Sequence, residues 1–339
     1  MPTVKSGWKE SGPKMSRPPA KFLCYLFAAA LMAQPAGTIR VNVNLVRAVA
    51  TVKTQAGQIV GTLGKDDFEI YDNQVRQQIA VFEHQTEQKL SVAVLVDVSG
   101  STAKELSYEA DSAGRFLRAL LGEGSPEDSV KLYTFNYRVT EETRRYTRDL
   151  KLLGGILKTL HGDAGTAMYD AIYYAARDLE PREGRKVIVL VTDGGDTVSS
   201  HTVHQALEEA QLADAVIYPV VVVPITNQVG RNMGGEHALQ FLAENTGGRT
   251  FFPAIGAALD KAFADIIVEL RTQYLLGFYP HDVPLTKNRF HTLEVRVKNP
   301  DLRVSARNGY YGEAEGISGA ADDRISISPE RQLPAKKKK

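Results

Sequence analysis

Three short stretches of this chain carry oxygen donors of the kind a hard divalent cation requires. Asp97, Ser99 and Ser101 follow the apolar run 90–96, and Asp193 follows the apolar run 186–192 (KVIVLVT). Between them Thr166 stands in Gly165-Thr166-Ala167-Met168-Tyr169-Asp170-Ala171. All five donors are carboxylate or hydroxyl oxygens, a set that suits Mg²⁺, Mn²⁺ or Ca²⁺ better than zinc. Two carboxylates at most neutralise a divalent ion, and three hydroxyls add dipoles without charge. An ion with one coordination position open stays electrophilic and accepts an external carboxylate.

Such donors need rigid elements behind them. A Val-rich run ended by a carboxylate reads as a buried parallel strand that delivers ligands to its C-terminal edge. In open α/β sheets that edge is where ligands bind. Around it the pattern alternates. Helix-spaced apolar residues run from Leu106 to Leu120, with Ser101 and Thr102 as the expected cap, and residues 130–135 and 216–223 read as further strands. Helices are expected over 166–179, over 201–213 with Ser199 and Ser200 as its cap, over 236–245 and over 254–271, with a short strand at 250–252. Strands alternating with helices of this length imply βαβ crossovers and an α/β fold, a mainly parallel sheet covered on both faces.

DxSxS behind one strand, a lone Thr in GTxxxDA and a strand-terminal TDG, in that order, resemble the von Willebrand factor A (VWA) domain with its metal-ion-dependent adhesion site. The resemblance spans residues 88–272. It implies that the hydroxyls of Ser99, Ser101 and Thr166 contact the metal, with Asp97 and Asp193 holding it directly or through water. It further implies a protein partner whose Asp or Glu completes the coordination. The flanks, GTLGKDDFEIYDN at 61–73 and RTQYLLGFYP at 271–280 with RNGYY at 307–311, resemble a narrower group, the secreted acidobacterial-type VWFA-related proteins.

Those flanks have a period of two. Residues 38–45 alternate, placing Ile39, Val41, Val43 and Leu45 on one face, and 48–52, 68–71 and 79–82 are further short runs. After residue 272 the segments 273–279, 290–297 and 302–306 return to the same pattern. Neither flank, 38–87 or 273–312, holds enough strands to be stable alone, so one sandwich built from both is expected, with the VWA segment inserted between. Residues 313–339 lack apolar anchors, end in four lysines and read as a solvated tail.

With 339 residues, 43% hydrophobic and 24% charged, the chain has room for real cores. A net charge of +1 gives nucleic acid no general attraction. Residues 22–32 (FLCYLFAAALM), preceded by Lys14, Arg17 and Lys21 and followed by Ala33 and Ala36, match a secretory signal, with Met15 as an alternative start. The expected mature protein is periplasmic or extracellular, with no membrane span and no cysteine once Cys24 is removed. Chemistry is weakly supported. His201 and His204 lack a third zinc ligand, DVSGS lacks the second acid of an aspartate phosphohydrolase, and no GxSxG elbow is present. Asp170 is expected to bind backbone nearby, Asp196 to stand behind the metal ligands without being one, and Asp66 and Asp67 to shape a turn. The expectation is a non-enzymatic binding module, the alternative a structural envelope protein whose metal staples loops.

Overall fold

The computed structural model describes residues 45–84, 88–100, 102, 106–222, 233–283 and 289–312. The export segment, the tail, Ser101 and all of the expected strand 38–45 except Leu45 lie outside those residues. The N-terminal flank forms β1 (Val46–Thr54), β2 (Phe68–Asp72), β3 (Val75–Gln77) and β4 (Ile79–His84). Then come β5 (Leu90–Asp97), α1 (Leu106–Glu123), β6 (Ser129–Phe135), β7 (Val139–Glu141), α2 (Leu150–Leu157) and α3 (Met168–Leu179). They are followed by β8 (Arg185–Thr192), α4 (Val203–Leu212), β9 (Ala215–Val221), α5 (Met233–Thr246) and α6 (Ala257–Thr272). The C-terminal flank supplies β10 (Tyr274–Phe278), β11 (Phe290–Val297), β12 (Leu302–Ala306) and β13 (Gly309–Tyr311).

The central sheet has the order β7-β6-β5-β8-β9. Its strands are parallel except β7, which runs against β6 at the edge. Successive side chains of a strand face opposite ways. On β5, Val92, Val94 and Val96 therefore enter one core with residues of α1, α2 and α6. Ala93 and Leu95 enter another with residues of α3, α4 and α5. Burial on both faces is why the strand reads as an unbroken apolar run.

The flanks build two four-stranded antiparallel sheets, β12-β1-β10-β4 and β13-β11-β2-β3, each mixing strands from either end of the chain. β1 lies between β10 and β12, with Ala48 opposite Leu276 and Val52 opposite Val304. Ala48, Val52, Ile70, Tyr274, Phe278 and Leu293 meet in one core between the sheets. Each sheet borrows from both flanks, so neither flank can complete it alone.

Local chemistry corrects several expectations. Ser199 and Ser200 do not cap α4. Thr202 does, accepting from the Gln205 N–H while Gln205 answers in a capping box. The two serines serve carboxylates instead, Ser199 Oγ donating to Asp196 and Ser200 N to Asp170. Thr102 ties down its own loop, its hydroxyl donating to the carbonyls of Asp97 and Ser99, and α1 is described from Leu106 onward. Phe251 makes a single parallel bridge to Val220 where a short strand is expected. α2 and β7 have no counterpart in the sequence reading. Gly154 and Gly155 dilute the periodicity of α2, which rests on the Asp149 cap and on Leu153 and Leu157 buried against α1.

Candidate metal centre

The C-terminal edge of the parallel sheet carries Asp97, Ser99, Thr166 and Asp193, four of the five expected donors; Ser101 lies outside the described residues. Asp97 ends β5 with no exposed surface. One carboxylate oxygen accepts the Ser99 N–H at 2.8 Å, and the other accepts the Thr192 hydroxyl at 2.6 Å. A further hydrogen bond comes from the Ser99 side chain. Burial pushes the Asp97 carboxyl up to about 6, and these neutral donors only partly offset it, while the nearby Asp193 raises it further. Among the described residues no basic side chain forms an ion pair with either aspartate. A buried carboxylate served only by neutral groups, with a second carboxylate beside it, is costly until a cation neutralises it.

Thr166 reaches this edge on a loop pinned to three strand ends. Asp163 N donates to the Val98 carbonyl beyond β5 at 2.8 Å, and Ala167 N donates to the Asn136 carbonyl beyond β6 at 2.6 Å. On the β8 side, Thr166 N donates to Thr197 Oγ1 and its carbonyl accepts the Thr197 N–H, both at 2.9 Å. Gly165 has φ +80, and a Cβ there would come within 2.9 Å of the Tyr137 Cβ. Only glycine turns the chain this way so close to a neighbour. Thr166 itself is buried, and Asp193 is half-buried.

The acidic neighbours have different tasks. Asp196 Oδ1 accepts Met168 N at 2.9 Å and Tyr169 N at 3.2 Å, closing the first turn of α3. Asp170 accepts Ser200 N, His201 N and the His201 ring. Burial acts to raise the Asp170 carboxyl, but the donated hydrogen bonds from Ser200 and His201 outweigh it and hold the group below its ordinary value. His201 stacks on Tyr173 with ring centroids 3.8 Å apart, and His204 lies against Phe241. Asp67 folds back on Gly64 N at 2.7 Å. Among the described residues no three His, Cys, Asp or Glu side chains gather in metal-binding geometry; the expected ligand set includes only two carboxylates.

Sequence reasoning missed two positioning residues. Thr192, the last residue of β8, holds Asp97 through its hydroxyl and accepts Gly194 N at 3.1 Å. Its signal was a hydroxyl directly after the buried aliphatic run 187–191. Thr197 sits in a loop of ordinary polar composition, and nothing local marks it. The donor set fits a hard cation. Asp97 and Asp193 would supply the charge, and Ser99 and Thr166 the neutral oxygens.

A topology of this kind with this edge defines a class. The chain belongs to the von Willebrand factor type A domain family, whose model matches residues 91–263. No curated protein matches it. Among solved structures it is similar to the von Willebrand factor domain of the type V pili tip protein Mfa5 from Porphyromonas gingivalis. The two are 14% identical over 53% of this chain and 94% of that one, with a TM-score of 0.45. It is similar also to BatB from Bacteroides thetaiotaomicron, 20% identical over 53% and 98%, TM-score 0.42. For the PilB minor pilin from Streptococcus sanguinis the identity is 14% over 55% of this chain, the TM-score 0.43, and the match spans 62% of the pilin. Among the described residues no helix is long and apolar enough to cross a membrane.

Proposed function

We propose that this protein is an exported binding module in which Asp97, Ser99, Ser101, Thr166 and Asp193 hold a divalent cation, Mg²⁺ foremost, that captures a carboxylate of a protein partner. Asp97 carries the reading: a fully buried carboxylate, met by hydroxyl and N–H donors alone, facing a second aspartate at a sheet edge. The ion would neutralise the pair, and a position left open would receive the partner's Asp or Glu. No reacting group is required, and the module would act by binding. The pilus proteins among its structural neighbours accord with an adhesive or scaffolding role at the cell envelope. The flanking motifs and the apolar segment 22–32 support export within the narrower secreted group.

The alternative, a metal that only staples loops, has less to do here. The Thr166 and Thr197 loops are already joined by three hydrogen bonds, and Asp196 already ties the second loop to α3. Calorimetry should show one divalent site in the mature protein, abolished in Asp97→Ala with the fold retained. Capture from envelope extract should then yield a partner that EDTA releases and that Asp97→Ala never binds. Undiminished metal binding by Asp97→Ala would overturn the ligand assignment. A partner indifferent to EDTA would leave the metal a structural role only.

A further inference from the structure

The opposite edge of the same sheet opens into a recess of about 610 Å³ between the VWA segment and the sandwich. β8 connects the two edges, with Thr192 at one end and Arg185 at the other. Seven steps at ~3.3 Å each separate them by roughly 23 Å. Six basic side chains line the recess against three acidic ones.

Two of those acids are already engaged. Glu183 pairs with Lys89 at 2.9 Å, and Asp214 pairs with Arg307. The remaining cations meet neutral acceptors. Arg185 is 6% exposed and donates to the Leu270 carbonyl and to the Gln273 side chain. Arg182 donates to the hydroxyls of Ser91 and Ser129, both at 3.1 Å, and Lys186 to the Glu180 carbonyl at 2.7 Å. Arg307, 9% exposed, also donates to the Arg47 carbonyl, which brings the two ends of the sandwich together at the rim. Both buried arginines retain an Nε–H without an acceptor among the described residues.

A guanidinium out of water whose direct partners are neutral, with the Asp128 carboxylate acting on it only at longer range, is costly, and an orphaned N–H adds the price of its lost hydration. Burial accordingly draws Arg185 down to about 10, and it lowers Lys186, with Arg47 contributing repulsion. An ordinary ligand pocket encloses ~300–1,000 Å³, so the recess has room for more than a lone ion. We propose that this recess is a second binding site, for a small oxyanion, carboxylate or phosphate, held by Arg185 and Arg307 and steered by Arg47 and Lys186. Its forked donors would match two oxygens of such a group. Because it lies where both flanks meet the VWA segment, occupancy would brace that junction.

The test is calorimetry and thermal unfolding of the mature protein with inorganic phosphate and, separately, succinate, each against sodium chloride of equal ionic strength. We expect a saturable site and a saturable rise in Tm with at least one of them. Phosphate alone would define a phosphoryl ligand, succinate alone a carboxylate, and each supports the proposal. Lys186→Gln and Arg47→Gln, at a half-buried and an exposed position, should weaken binding about tenfold, equivalent to ~1.4 kcal/mol. Arg185→Met should abolish binding, and if that variant fails to fold the other two still decide. Asp97→Ala should bind the anion normally, which separates this site from the metal. A response no greater than that to chloride, or one unchanged in Lys186→Gln and Arg47→Gln, would overturn the proposal.

Discussion

The two edges of the parallel sheet are mirror images in charge. At the C-terminal edge a buried aspartate faces a second aspartate and is held by hydroxyls and one N–H. At the N-terminal edge a buried arginine is held by a carbonyl and an amide oxygen, with further cations around it. Both places retain charge that the described chain does not neutralise, and burial raises the acid and lowers the base. They differ in construction. The acidic edge is made by loops of the VWA segment alone, two following β5 and β8 and the third leading from α2 into α3. The basic edge is made by three parts of the chain, and two of its members, Arg47 and Arg307, come from the sandwich. One edge is therefore autonomous, and the other depends on the flanks.

Removing one flank tests that dependence, and it is the largest perturbation considered. Deleting residues 46–84 takes β1 from between β10 and β12 and β2 from beside β11. Tyr274, Leu276, Phe278 and Leu293, now essentially buried, would lose their cover. At ~1.5–3 kcal/mol for each such side chain the C-terminal sheet cannot persist, and aggregation is expected. The segment 88–272 alone should keep metal binding and lose anion binding. Hydrogen exchange decides: unaltered protection of β11 after the deletion would show two independent sheets and an N-terminal edge that needs no flank.

A change of pH should separate the edges next. A proton competes with a metal for Asp97, whose carboxyl lies near 6, so cation affinity should fall as pH drops through about 6 toward 5. Arginines keep their charge throughout that window. Thr166→Ala should weaken the cation by less than Asp97→Ala does, since a dipole and not a charge is lost. Calorimetry at stepped pH measures both. Cation affinity constant from pH 7 to 5 would mean that Asp97 is not the group being neutralised.

The acidic edge was legible because its residues are local. DxSxS, GTxxxDA and TDG each occupy a few consecutive positions, and each ends or begins an element that the apolar periodicity marks. The basic edge was illegible for the converse reason. Arg47 and Arg307 are 260 positions apart, and taken singly each reads as one more surface cation. The parallel strands could be read because both faces are buried, and sandwich strands such as β2 because one face is, although β10 is buried throughout. α4's cap could not, because Ser199, Ser200 and Thr202 are all competent caps, and only the tertiary positions of Asp170 and Asp196 decide among them.

A smaller effect is expected where α5 meets the TDG loop. A Cβ at Gly235 would stand 1.5 Å from the Gly194 carbonyl oxygen, so Gly235→Ala must push helix and loop apart. Overpacking of this kind costs about 1–3 kcal/mol. The shift would fall on the loop that carries Asp193, so cation affinity should drop while anion binding at the far edge stays as it was. Loss of both together would show that the sheet transmits strain between its edges and that they are not separable.

The mildest change concerns the frame around the acidic edge. Asp170 receives Ser200 N at 3.0 Å, His201 N at 2.8 Å and His201 Nδ1 at 2.7 Å. Its folded value lies below the ordinary 3.8 because those donors outweigh its burial. The sign follows from linkage. A depressed carboxylate contributes stability that is present above the unfolded value and is lost as pH falls through the folded one. Asp170→Asn keeps one acceptor and removes the charge, so it should lower Tm at neutral pH. The deficit should shrink as pH is lowered through and below the ordinary carboxylate range, where the wild-type carboxylate itself becomes protonated. Thermal unfolding of both proteins across that range provides the check. A deficit that is the same at every pH would assign the contribution to the geometry of the Ser200–His201 turn and not to charge. Either way Asp170 lies outside the expected ligand set, so cation affinity in Asp170→Asn should change far less than in Asp97→Ala, and the arginine edge not at all.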